Sequence, residues 1–252
     1  MGDPMAEAMQ AFTATMHAQF SAVMQKARTS MEQSVGMSEM MNSMLENLLL
    51  QSLHVRSTVS ACPLALSLHI SNQGTIPVPV LSCVVTLQPR ASEEAADVLF
   101  RSMPQDLDVG KKLSADLALS LDLGQYNGTI EVSCVSPGTG RRLETVHEFS
   151  IYYLQQLHIA FTTAPPPATP PATVTPSIDM KKVRDILRLS PREALAVAED
   201  GGYVLSGPDG TAWFYITLND TNDGRCTANI SIVAPAPICI ENLVEELCQL
   251  GT

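Results

Sequence analysis

The five histidines and six cysteines are the residues with the widest chemical repertoire, and their spacing argues against a catalytic or metal centre. His17, His54, His69, His147 and His158 stand far apart, and no two share a metal-ligand spacing. Cys62, Cys83, Cys134, Cys226, Cys239 and Cys248 form no CxxC, and most fall in apolar strand or helix patterns. That usage fits reduced thiols in a cytoplasmic protein, with the nucleus as the alternative compartment. The Asn-x-Ser/Thr matches at Asn127, Asn219 and Asn229 are then idle. No HExxH, GxSxG, Walker A or GxGxxG occurs. Glu199-Asp200 precedes a Gly-Gly pair and reads as turn chemistry, as does Pro208-Asp209-Gly210. The expectation is a protein that is not an enzyme and holds no cofactor or metal. An enzyme assembled from scattered residues is the opposing reading.

Aromatic side chains offer recognition instead. The segment TAWFYITL holds Trp213, the single Trp of the chain, and Tyr215. Strand alternation puts Trp213, Tyr215 and Thr217 on one face, and Phe214, Ile216 and Leu218 on the other. RCTANISIV follows, with Cys226, Ala228, Ile230 and Ile232 alternating against Thr227, Asn229, Ser231 and Val233. One sheet face is therefore apolar and wants a helix over it. The other is polar with two large aromatics, a plausible docking surface for a peptide. The plainer alternative is a set of half-buried sheet residues that bind nothing.

Charge narrows the partners. Lys+Arg 15 against Asp+Glu 26 gives a net charge of -11, which argues against a nucleic-acid or anionic-membrane surface. The acids are spread along the chain and solubilise it. No run of 18 apolar residues offers a membrane span, and no secretory signal is read at the N-terminus, so the chain is expected to be neither membrane-inserted nor secreted.

Four elements must position these residues. Residues 1–55 read as an amphipathic helix, with apolar residues at Met5, Met9, Phe12, Met16, Phe20, Val23, Ala27 and Met31. Those 4-3-4-4-3-4-4 steps repeat every 11 residues, near the pitch of a straight helix. After Gly36 the stripe is expected to restart at Met37, Met41, Met44 and Leu48. Ten of the 12 methionines precede Leu45, and a Met-rich stripe suits an adaptable helix–helix contact. The expected use is coiled-coil pairing with a partner helix, as a hetero-oligomer or a homodimer. The competing reading is an internal core helix.

Residues 60–154 read as an antiparallel β-sandwich, with short strands and turn signals such as Asn127-Gly128 and 136–140. Residues 164–176 form a Pro/Ala/Thr linker, expected to be extended and poorly ordered. Residues 155–163 and 177–252 make a last domain of helix, three or four strands and helix. Ser177 is its candidate N-cap, and the closing helix spans about 237–250. The fold class is α+β.

The order of these elements resembles the appendage (ear) region of clathrin-adaptor large subunits, where a β-sandwich carries a platform. The layout of YVLSGPDGTAWFYITL (203–218), TANISIVAP (227–235) and IENLVEEL (240–247) is similar to that platform, and QLHIAFTT (156–163) stands in for its first strand. The resemblance implies an open platform face that grips short motifs through a first-strand Trp, a Tyr and an acidic residue. Tyr203 matches the Tyr. Phe161 or Thr162 stands near the Trp position, and Thr217 at the acidic one. A helix followed by an ear-like sandwich and platform is also similar to the C-terminal parts of BBSome and Fanconi core-complex subunits, where the helix pairs subunits.

The resulting expectation is a non-enzymatic scaffold or adaptor subunit of a multiprotein complex in membrane trafficking, of the coat or BBSome kind. The alternative is a scaffold of a nuclear DNA-repair complex. Partner subunits would bind the helix through Met5, Met9, Phe12, Met16, Phe20, Val23 and Met31. Peptides or a subunit would bind the platform through Tyr203, Trp213, Tyr215 and Thr217.

Overall fold

A computed structural model describes residues 4–60, 63–90, 96–164, 171–186, 201–221 and 223–251. The fold is α+β, with one long helix, a β-sandwich and a smaller sheet layered with helices.

Helix α1 runs from Pro4 to Ser52. Pro4 suits the first turn, where its missing N–H costs nothing. The helix passes without a loop into β1, Leu53–Ser60. The 1–55 boundary thus shifts to Ser52, and the sandwich gains a strand that the pattern hid. β1 buries Leu53 and half-buries Val55 and Val59, but Ser57 interrupts the apolar alternation between them.

The sandwich continues with β2 (Ala65–Asn72), β3 (Val78–Pro89), β4 (Asp97–Arg101), β5 (Gln105–Leu107), β6 (Lys112–Ala118), β7 (Tyr126–Val135) and β8 (Arg142–Ile151). One sheet has the order β1-β2-β6. The other has the order β4-β3-β7-β8, with β5 also on β3. All pairings are antiparallel. Leu66, Leu68 and Ile70 share one apolar core with Leu81, Cys83, Val85, Ile130 and Val132. The buried Asn72 side chain is satisfied locally. Its amide donates to Ile76 O and Leu107 O, and its Oδ1 accepts from Gly74 N.

After the short helix α2 (Tyr153–Gln156) the chain builds a third antiparallel sheet, ordered β10-β14-β13-β12-β9. Its strands are β9 (His158–Thr162), β10 (Thr173–Val174), β12 (Gly202–Ser206), β13 (Ala212–Asp220) and β14 (Arg225–Ile232). A further short strand, β11 (Ile178–Asp179), also pairs with β14. The linker departs from the expected free spacer, because Thr173–Val174 is paired and Thr175 N donates to Ala228 O. Thr175 Oγ1 also accepts from Ala228 N, so a Thr-rich linker ends as a sheet edge.

Helices α3 (Met180–Ile186) and α4 (Ile240–Gly251) cover one face of this sheet. The cap of α3 is Asp179, not Ser177. Asp179 Oδ1 accepts from Lys181 N and Lys182 N, while Ser177 accepts from Arg225. Those bonds hold the Asp179 carboxyl below the usual carboxylate range. The expected turn at Glu199-Asp200 lies outside the described residues.

Candidate functional site

The two sequence-predicted surfaces separate sharply in the structure: the platform aromatics are buried and the helix stripe is bare.

On the platform, the register sets which residues share a face. Tyr203 pairs with Ile216 and Leu205 with Phe214. Opposite residues of an antiparallel pair point the same way, so Tyr203 lies on the helix-covered face with Ile216. It is 1% exposed and packs on Phe161, its ring centre 5.7 Å away. The expected grouping of Tyr203 with Trp213, Tyr215 and Thr217 is therefore corrected. Parity along one strand says nothing about the neighbouring strand until the turn and the bulge at Leu205/Ser206 fix the pairing.

Tyr215 does lie on the face away from the helices, beside Val204, yet it is 4% exposed. Its ring lies against Gly202, where an added Cβ would stand 2.4 Å from Cζ. Its hydroxyl donates to Ala164 O at 2.8 Å. Trp213 is 7% exposed, with its ring against Gly207 and within the platform core. Two glycines thus make the room that two large rings fill. Thr217, opposite Asn229, is half-buried. A groove on this side is lined by His158, Ala160, Ser206, Pro208, Leu64 and Gln155, and by none of the four predicted residues. The arrangement is a packed sheet surface with structural aromatics.

Helix α1 is the opposite case. Met5, Met9, Phe12, Met16, Phe20, Val23 and Met31 are all exposed, Phe12 at 65% and Phe20 at 66%. Phe12, Met16 and Phe20 line a shallow groove with Thr13 and His17. Near its end the helix touches the sandwich. Leu49 is buried in the sandwich core, Leu45 packs against it, and the Asn42 side chain lies against Gly138. Thr139 Oγ1 donates to Glu46 Oε1 at 2.6 Å, and that bond holds the Glu46 carboxyl below its ordinary value. Met37, Met41, Met44 and Leu48, the expected restart of the stripe, are exposed like the stripe before them. The positions that meet the sandwich continue the 11-residue register: Met5, Met16, Ala27, Ser38, Leu49, then Met9, Phe20, Met31, Asn42, and Phe12, Val23, Ser34, Leu45. The face that docks on the sandwich and the bare stripe are one continuous face.

Sequence patterning missed Glu246. It is a fully buried carboxylate on α4 that accepts from Gln125 Nε2, Tyr153 N and Leu154 N. Its place three residues after Leu243 and one before Leu247, on the apolar stripe, was the available signal.

Burial pushes the Cys83 thiol up to about 11 and raises Cys134 and Cys226 as well. Ser57 Oγ and His147 Nε2 lie 3.1 Å apart, and His69 Nδ1 and Ser114 Oγ 2.9 Å apart. No carboxylate hydrogen-bonds either imidazole among the described residues, so neither pair has the orienting third group of a triad. Among the described residues no group of three or more His, Cys, Asp or Glu could hold a metal ion, and no helix is long and apolar enough to cross a membrane.

No protein-family model matches the chain, and no curated protein matches it. Solved structures similar to it include a chain of the archaeal flagellum of Methanospirillum hungatei strain JF1. That chain is 15% identical, and the match covers 58% of this chain and 93% of that one at a TM-score of 0.35. A likeness at that level carries no argument.

Proposed function

We propose that the chain is a non-enzymatic scaffold subunit that joins a multiprotein complex through helix α1. The observation that carries this reading is the bare stripe from Met5 to Met31 on a helix whose other end is anchored in the sandwich. Burying a Phe or Met contributes about 1.5–3 kcal/mol. Seven such positions offset the roughly 4–15 kcal/mol that association costs. A helix left alone in water would have no tertiary contact to hold those turns.

The sandwich and platform then form the body that the helix delivers. Glu246 links them, through Gln125 of the sandwich and the first turn of α2. The appendage-like order of elements supports a coat or BBSome-type trafficking assembly as the setting. Charge of -11 supports protein partners over nucleic acid. The platform offers a fixed subunit contact, since its Tyr203, Trp213 and Tyr215 are used in packing.

The test replaces Phe12, Phe20 and Val23 with Asp and follows the assembly by size-exclusion chromatography with light scattering. Release of the partner is expected. An assembly of unchanged mass would remove α1 as the interface.

A further inference from the structure

The stripe on α1 has a symmetry that names its occupant, provided that α1 is an assembly helix as proposed above. Its exposed apolar positions include Met5, Met9, Phe12, Met16, Phe20, Val23, Met24 and Met31, and Ala27 completes the row. Val23 apart, which falls opposite Thr13, the steps 4-3-4-4-4-3-4 read the same in both directions. A two-fold axis at position 18 therefore sets Met5 opposite Met31, Met9 opposite Ala27, Phe12 opposite Met24 and Met16 opposite Phe20. We infer that α1 pairs antiparallel with α1 of a second copy of this chain, through this self-complementary row.

Three further observations agree with that pairing. The first is clearance. In this register Pro4 of one helix stands opposite Glu32 of the other. Asn42, the first α1 residue seen against the sandwich, lies about 15 Å further along. The second helix therefore ends before it meets the body of the first. Where the copy ends, the same face continues through Leu45 and Leu49 into the sandwich, so the inferred interface is continuous with an existing one. The second is charge. At 3.6 residues per turn Glu32 and Glu39 fall on the far side of the helix, while Lys26 and Arg28 flank the row on its two sides, and Arg28 Nε already meets Glu32 Oε1 at 2.9 Å. In this register Lys26 stands opposite Gln10 and Arg28 opposite Ala8, so neither meets a like charge of the second copy. The third is extent. The overlap from position 5 to 31 is about 40 Å of helix, and its centre is the shallow groove of Phe12, Met16 and Phe20, open to receive the same residues from the other copy. An isologous contact of this kind closes as a dimer rather than growing into a fibre.

The test mixes two variants of the full chain, Met5→Cys and Met31→Cys, each with the exposed Cys239 replaced by Ser. Disulfides are located by peptide mass spectrometry after mild oxidation, alongside light scattering of the unmutated chain. The expected result is a dimer mass, with a cross-link from position 5 to position 31 in the mixture and none in either variant alone. A 5-to-5 cross-link in the first variant alone means parallel pairing and overturns the inference. A chain that is monomeric alone, but whose stripe is shielded in a complex with one different protein, overturns the second copy while leaving the helix-partner reading intact. A dimer that survives Phe12→Asp with Phe20→Asp overturns both.

Discussion

The buried carboxylate of Glu246 accepts a hydrogen bond from the Gln125 side-chain amide at 2.8 Å, across 121 positions of sequence. The same carboxylate takes Tyr153 N at 2.8 Å and Leu154 N at 3.2 Å. One side chain on α4 thus holds the β6–β7 turn of the sandwich and the first turn of α2, where the chain crosses to the platform. Glu246→Ala leaves three donors, the buried Leu154 N among them, without their acceptor and is expected to destabilise the fold by about 3 kcal/mol, read as a lower midpoint in urea unfolding.

The same group gives stability a pH dependence. Burial raises the Glu246 carboxyl above its ordinary value, opposed by its three donors and by Arg90. The folded chain therefore binds this proton more tightly than the unfolded chain. Its contribution is fully present below the unfolded carboxyl value and is lost as pH rises through the raised folded value. Glu246→Gln is expected to flatten that part of the stability–pH curve, measured by thermal unfolding across the acidic range.

The platform rings are predicted to be structural. Trp213→Ala opens a cavity over Gly207 and is expected to cost about 3–5 kcal/mol. Tyr215→Phe loses the bond to Ala164 O and costs about 1 kcal/mol. Gly202→Ala drives a methyl into the Tyr215 ring and costs about 1–3 kcal/mol. Chemical unfolding curves rank the three, and equal small effects from all would contradict the packing described.

At the base of α1, Thr139→Val removes the donor to Glu46. Hydrogen exchange in the last three turns of the helix is expected to speed up, with the sandwich strands unaffected. Because the Glu46 carboxyl lies below its ordinary value, the anchoring is present above the usual carboxylate range and fades as pH falls through the depressed value.

What could be read in advance follows from how local each signal is. The 11-residue spacing of Met5, Met16 and Ala27 marks α1 by itself, and the alternation of Leu66, Leu68 and Ile70 marks β2, because each period lies within one element. The face of Tyr203 was not legible, since it depends on its pairing with Ile216 across a bulge. Glu246, unlike Glu245, stands on the apolar stripe of α4, but the groups that satisfy it there come from α2 and the Gln125 turn, and no local pattern shows their meeting. The docking of Leu45 and Leu49 was masked by Met41, Met44 and Leu48, which offer an equally apolar row one face over. Composition ranks those rows alike, and only the geometry at the Ser52–Leu53 junction decides which meets the sandwich.

Hydrogen exchange across residues 5–31 of α1, in the assembled protein and in the Phe12→Asp/Phe20→Asp variant, tests the assembly role most directly. Strong protection in the assembly, lost in the variant while the sandwich and platform strands stay protected, is the predicted result. Equally fast exchange in both would show that nothing covers the stripe and would contradict the assembly role of α1.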